Sequence, residues 1–327
     1  MRAVAAGISD VGLQRDHNED SFAILSDQEL YVVADGMGGH RAGDVASRLA
    51  TDAIVDFFRA TATEDVTWPF HFDSRLSEEE NRLLTGIRLA NRQIIERSSR
   101  SREYHGMGTT VVGALFRTKK RKMFIGHVGD SRAYRVREGA IKLMTRDHSL
   151  VNDYLLAMPE LSEEQRSELP KNVITRALGM QDHVTVDLQS DDAKPGDRYV
   201  LCSDGLSGMI TDEEILRVVE GTGDLTEACR QLVAMANEHG GEDNITCVIV
   251  RIEHDPGAPE RIDVPDAAQR AQGMAVGEGQ AAPAAAAPAP AAVAPAAPPA
   301  AAPSVETADT PPAGVAAVRP PSTDGGA

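Results

Sequence analysis

The sequence predicts an α+β layered sandwich, on three observations. Apolar strand runs come in clusters, helical patterns come in pairs, and the two do not alternate as a doubly wound parallel sheet would require. Several of the apolar runs are also continuous, which predicts strands covered on both faces.

Taken in order, the first strand signals are SFAIL (21–25) and LYVVAD (30–35). Helical periodicity then covers 43–60 and 78–100. A second group of strands follows, with TTVVGALF (109–116), KMFIGHVGD (122–130) and SRAYRV (131–136). RYVLCSD (198–204) and ITCVIVRI (245–252) enclose a third helical pattern over 225–239. Residues 1–254 therefore read as one folded domain. Composition then breaks: 14 of the 18 prolines lie beyond residue 255, among alanines and glycines. Such a segment buries too little apolar surface to offset its ordering entropy, so 255–327 is expected to be a disordered Ala/Pro-rich tail. A tether, a spacer and a tail of no specific role all fit its composition.

The 327 residues carry a formal charge of −17 and a pI near 4.9, which disfavours proteins that hold nucleic acid or anionic membranes by backbone charge. Cys202, Cys229 and Cys247 are scattered and odd in number, fitting buried thiols in a reducing compartment. The N-terminal MRAVAAGISDVG lacks a signal-peptide layout, and no apolar run approaches the roughly 20 residues of a membrane span. A soluble, cytoplasmic protein is expected.

Chemistry is signalled by acids at strand ends. Asp35-Gly36 follows the run YVVA, Asp204-Gly205 follows YVLCS, and Asp130 follows FIGHVG. Asp243 precedes the strand ITCVIV behind two glycines, and Glu19 and Asp20 precede SFAIL. One aspartate beside glycine is ordinary turn chemistry. Six acids in this arrangement imply more if they converge in space. Like charges 4 Å apart repel by roughly 4 kcal/mol per pair at an effective dielectric near 20, which calls for protons or cations. Oxygen donors without a Cys or His cluster favour Mg²⁺ or Mn²⁺ over zinc.

The ordered set RDHNED, VVADGMGG, GMGTT, VGDSRAY, TRDHSL, ITRALG, LCSDGL and GEDNIT resembles the metal-dependent serine/threonine protein phosphatases of type 2C, the PPM family, in their compact bacterial form. The likeness covers residues 1 to about 252. It implies a four-layer α-β-β-α sandwich of two antiparallel sheets flanked by helices, with a two-metal site at one end. By that resemblance Asp35 bridges both cations and the Gly36 carbonyl ligates the second. Asp204 and Asp243 hold the first, and Glu19 reaches the second through water. Asp130, with Asp204, matches the ligand of a third, weaker metal. Asp20 and Asn244 are expected to support the site by hydrogen bonds. Arg15 matches the phosphate-binding arginine, whose fork suits two phosphate oxygens.

The reaction so implied is hydrolysis of phosphoserine and phosphothreonine by a water or hydroxide shared between two Mn²⁺ or Mg²⁺ ions. The expected partners are phosphoproteins and serine/threonine kinases, and the expected state is a monomer. Cys202 has no phosphate-cradling loop after it, which argues against a cysteine phosphatase. Met37 stands where animal members carry a histidine after the bridging DG, and His40 follows three residues later. His40 is read as a donor behind the site and a helix-entry residue rather than the general acid, which stays unassigned. Residues 149–172 match a flap beside the site in bacterial relatives, although a solvated helical insertion fits the same pattern. Two other functions compete with this one. One is a phosphatase of small sigma-factor regulators, disfavoured by the complete RDHNED motif and the lack of a sensor domain. The other is a pseudophosphatase, which would require a lost ligand among Asp35, Asp204 and Asp243.

Overall fold

The computed structural model describes residues 1–254, apart from 39–41, 63–68, 159, 161, 163–164, 166–168 and 171–172. His40 and the segment 255–327 lie outside the described residues. All described residues belong to one unit, Met1–Arg261.

Two antiparallel sheets carry the fold. The first is ordered β1 (Arg2–Asp10), β11 (Ile245–Glu253), β10 (Arg198–Cys202), β7 (Arg132–Arg137), β8 (Ala140–Leu143). The second is ordered β2 (Asp20–Leu25), β3 (Leu30–Met37), β5 (Val111–Arg117), β6 (Lys122–Val128), β9 (Asp187–Asp192), with the short β4 (Gly108–Thr109) paired to the end of β3. Helices α1 (Ala42–Ala60) and α2 (Glu78–Arg100) cover one sheet. Helices α5 (Asp212–Gly221) and α6 (Leu225–Glu238) cover the other. Two short helices, α3 (Leu150–Ala157) and α4 (Asp204–Ser207), are also among the described residues.

Period-two side-chain direction explains the continuous apolar strands. In β3, Leu30, Val32 and Ala34 face α1 and α2, while Tyr31 and Val33 face the other sheet. In β11, Ile245, Cys247 and Ile249 face α5 and α6, while Val248, Val250 and Ile252 enter the inter-sheet core. Three apolar layers thus separate four layers of secondary structure, as expected from the motif resemblance.

The helices start where local chemistry dictates. The Ser77 hydroxyl accepts from the Glu80 amide at 3.3 Å and Glu80 accepts from the Ser77 amide at 2.8 Å, a reciprocal cap on α2. Thr211 and Glu214 repeat the arrangement on α5. The expected helices at 43–60, 78–100 and 225–239 appear within one residue of their observed bounds, whereas α5 was not anticipated. Strands β1, β8 and β9 were also missed. β1 is built on Ala and Gly with few large side chains, and β9, DLQSDD, is a polar edge strand.

The helix-covered face should be the most sensitive to truncation. Phe58, fully buried between α1, α2 and the sheet, is edge-on to Phe57 and lies under the Arg82 guanidinium. Phe58→Ala is expected to lower unfolding free energy by about 3–5 kcal/mol in a urea titration; a loss below about 1 kcal/mol would contradict this packing.

Candidate active site

Strand ends from both sheets meet at one end of the sandwich, and the acids stand there. Asp35 lies near the end of β3, directly opposite Asp20 at the start of β2. Glu19 precedes β2, Asp130 lies between β6 and β7, Asp204 opens α4 directly beyond β10, and Asp243 stands two residues before β11. A cleft of about 790 Å³ opens here, its lining including Arg15, Asp130, Asp147, Pro170, Val173, Asp204 and Asp243. The expected convergence of acids is realised.

Their electrostatics show how costly the arrangement is. Burial, and then the charges of Asp20, Asp204 and Asp130, push the Asp35 carboxyl well above the ordinary range. Asp35 and Asp204 are within hydrogen-bonding reach, and Asp204 is raised by burial and by Asp243. Burial first, then neighbouring acids, lifts both Asp20 and Asp130 to about 7. Glu19 is raised chiefly by burial, against an amide bond from Gly43 and the charge of Arg15. Glu19 Oε1, Asp20 Oδ1, Asp130 Oδ1 and Asp204 Oδ1 are buried with no hydrogen-bond partner among the described residues. A set of hard, unpartnered, mutually repelling oxygens fits divalent cations such as Mn²⁺ or Mg²⁺.

The scaffold fixes each acid through its backbone. Asp35 is held by Thr109 and Thr110. The Asp35 carbonyl accepts from the Thr109 hydroxyl at 2.8 Å and the Thr110 amide at 2.8 Å, while the Asp35 amide donates to the Thr110 hydroxyl at 3.2 Å. That hydroxyl also meets Ser131 Oγ at 2.7 Å, tying the Asp35 strand to the Asp130 turn. Gly36 must lack a side chain because a Cβ there would stand 2.1 Å from the Gly43 carbonyl oxygen. Asp20 accepts from the Ser203 hydroxyl at 2.8 Å.

Asn244 carries the widest load. Its Oδ1 accepts from the Glu19 amide at 2.7 Å, and its Nδ2 donates to the Val11 and His17 carbonyls at 2.9 Å each. The same residue's amide donates to Asp243 Oδ1 at 2.8 Å. Arg15, half exposed in that loop, donates to Asp243 Oδ2 at 2.7 Å and to the Glu242 carbonyl. Of the residues singled out in the sequence, only His40 falls outside this description.

Within the GMGTT segment the Thr109 and Thr110 side chains do the holding. Ser131, Ser203 and the acid Asp44 were missed. Asp44, in the first turn of α1, adds its charge to the repulsion on Glu19 and pairs with Arg48 at 2.8 Å. A hydroxyl beside a strand carries no signal of its own, so only the adjacency of Ser131 and Ser203 to Asp130 and Asp204 could have found them. Cys202 faces the α5–α6 core, fully buried, and burial pushes its thiol up to about 12. It is not a nucleophile.

A second cluster stands behind the Asp130 turn. One ligand atom each from His127, His148 and Asp187 lie within 4.8 Å of one another. The Gly129 amide donates to His148 Nδ1 at 3.0 Å, so the ring proton sits on Nε2, 3.3 Å from Asp187 Oδ2. Arg176 Nη1 lies 2.9 Å from that nitrogen and 2.8 Å from Asp187 Oδ1. A protonated nitrogen and a guanidinium make this a hydrogen-bond network rather than a cation cage.

Comparison with known proteins agrees with this geometry. Residues 14–248 match the family described as Protein phosphatase 2C. The chain is 37% identical over 251 residues to the serine/threonine phosphatase stp of Listeria welshimeri, covering 74% of this chain and 93% of that protein. It is 34% identical to the protein phosphatase PhpP of Streptococcus pneumoniae, over 76% and 97% of the two chains. Among solved structures it is similar to the Mycobacterium tuberculosis serine/threonine phosphatase PstP/Ppp, with a TM-score of 0.67, 33% identity and coverage of 78% and 100%. A PstP catalytic domain in complex with 2 manganese ions gives a TM-score of 0.65 at 32% identity, covering 77% and 99%. The chain belongs to the protein phosphatase 2C family and is a serine/threonine protein phosphatase.

Proposed function

We propose that the converged acids hold divalent cations and that the protein uses them, with Arg15, to hydrolyse phosphoserine and phosphothreonine in proteins. The observation that carries this reading is the set of unpartnered carboxylate oxygens at one end of the sandwich, with Asp130 and Asp204 lining a cleft beside the half-exposed Arg15. Asp35, the Gly36 carbonyl, Glu19, Asp204 and Asp243 would hold two ions, Mn²⁺ or Mg²⁺, and Asp130 with Asp204 a third. When bound, such a pair supplies Lewis acidity and activates water at neutral pH. The 2 manganese ions of the PstP relative support this choice.

This chain's own residues do the remaining work. Arg15 binds and orients the phosphate, its fork matching two phosphate oxygens and its charge persisting through the reaction. Asp20 stands behind Asp35 and, held by Ser203, fixes the shape of the cleft floor. Asn244 keeps Arg15 and Glu19 in register with Asp243. Serine/threonine kinases that write the phosphates are the proposed counterparts, and a monomer in the cytoplasm is the proposed working form. Among the described residues no helix is long and apolar enough to cross a membrane. The Ala/Pro-rich segment 255–327 is proposed to be an independent tail.

Hydrolysis of p-nitrophenyl phosphate and of phosphothreonine peptides is expected to require Mn²⁺ or Mg²⁺ and to vanish with chelator; undiminished turnover by the chelated enzyme would overturn the cation reading. Asp204→Asn is expected to cost at least about 10³-fold in kcat, since several kcal/mol of charge stabilisation is lost, while circular dichroism stays native.

The raised carboxyl values carry a further prediction. A carboxyl whose folded pKa exceeds its unfolded pKa contributes stability that is complete below the unfolded value and lost as pH rises through the folded one. For Asp20 and Asp130 that window runs from the ordinary carboxylate range to about 7. In chelator, the thermal midpoint is therefore expected to fall as pH rises across this window, and Mn²⁺ should flatten the decline. Equal slopes with and without Mn²⁺ would count against it.

A further inference from the structure

We propose that His148 is a positioning residue for Asp130, clamping the Gly129 peptide so that the adjoining carboxylate stays aimed into the cleft. The inference rests on the reading of Asp130 as the ligand of a third, weaker cation.

Asp130 sits on a turn that its own side chain does little to hold. One of its carboxylate oxygens is buried without a partner, so the carboxylate is placed mainly by the backbone on either side. On the far side, Ser131 is tied to Thr110, and through it to the Asp35 amide. On the near side stands Gly129, at φ +105°, where a Cβ would come within 2.6 Å of Thr110. The backbone there can neither tolerate a side chain nor close its bonds within β6.

His148 supplies what Gly129 lacks. Its ring Nδ1 accepts from the Gly129 amide at 3.0 Å, and its own amide donates to the Gly129 carbonyl at 3.0 Å. Both polar groups of one peptide residue are thus closed by one partner. The ring is 2% exposed and held in plane, stacked on His127 with centroids 4.8 Å apart and planes 10° from parallel. His127 is itself fixed by a 2.9 Å bond from its Nε2 to the Arg146 carbonyl. At the other edge of the His148 ring, Nε2 faces Asp187, which β6–β9 pairing places directly opposite His127.

The Gly129 amide, a donor only, requires the tautomer in which Nδ1 is bare and the ring proton lies on Nε2, towards Asp187. The carbonyl of His148 accepts from the Thr175 amide at 2.8 Å, so the same residue also anchors a third stretch of chain. None of these groups reaches the cleft. They act on it through one peptide.

The chemistry at stake is a single acceptor at the δ position, and this makes the proposal testable by paired substitutions in the full-length protein. His148→Leu removes the acceptor. His148→Asn keeps one, since an asparagine Oδ1 projects from the same carbon as Nδ1. Titration with Mn²⁺, followed by electron paramagnetic resonance of the free ion, reads the binding classes without reference to turnover. The leucine variant is expected to weaken only the weakest class, by about 10–100-fold as removal of an outer hydrogen-bond partner typically does. Asp130→Ala should do the same, and the asparagine variant should bind as the wild type does.

Loss spread equally over all classes, or asparagine behaving as leucine does, would overturn the proposal. Hydrogen exchange at the Gly129 amide tests the clamp separately: fast exchange is expected in the leucine variant, with protection in wild type and asparagine. Unchanged protection in the leucine variant refutes the clamp whatever Asp130 binds. If Asp130→Ala leaves Mn²⁺ binding intact, the third-cation reading fails instead, and the positioning role fails with it.

Discussion

Mutual repulsion among carboxylates is the constraint on which the rest of this structure depends. Burial raises the proton affinity of Asp20, Asp35, Asp130 and Asp204, and the charges of neighbouring acids raise it further. Each close pair costs on the order of 4 kcal/mol if both members are ionised, which is comparable to a large part of a domain's net stability. Side chains that must be held together against such a force need stiff supports. The double sandwich provides them, because each acid lies on or beside a strand whose two faces are both packed.

The backbone is also the means by which the acids are aimed. Thr109 and Thr110 bracket the peptide of Asp35, Asn244 brackets Glu19 and Asp243, and His148 brackets the residue before Asp130. For Asp35, Glu19 and Gly129 a polar side chain from a different element bonds to main chain, whereas Asp243 is held at its carboxylate by the Asn244 amide and Arg15. Such an arrangement stabilises the site's shape without neutralising its charge. Hydroxyls and amides suit this role because they satisfy buried peptide groups at modest cost.

Much of this was legible in the sequence, for a physical reason. Strands packed on both faces read as unbroken apolar runs, and amphipathic helices read at a period near 3.6, so LYVVAD, ITCVIVRI and the helix at 78–100 stood out. Asp35, Asp130 and Asp204 were conspicuous because each follows such a run and stands beside glycine. β1 and β9 were not legible, since alanine and acidic side chains give no periodic contrast. Nor were Thr110, Ser131 and Ser203, whose importance lies in partners distant in the chain. The burial of His148 against His127 comes from tertiary packing alone.

Asn244 and the pairing of β1 with β11 bear on how the protein is made. Arg2 lies opposite Glu253 in that ladder, and Asn244 bonds to the loop containing His17 across 227 positions. The first strand of the domain therefore waits for the last, and the loop bearing Arg15 acquires its fixed shape only when the final strand docks. Contacts of such high sequence separation form late and slowly. During synthesis the acids of the earlier strands exist before the residue that brings Arg15 and Glu19 to them. A nascent or truncated chain ending short of residue 244 would hold most of the carboxylates but no assembled cleft, so competence arrives in one step with the end of the domain rather than accumulating along it.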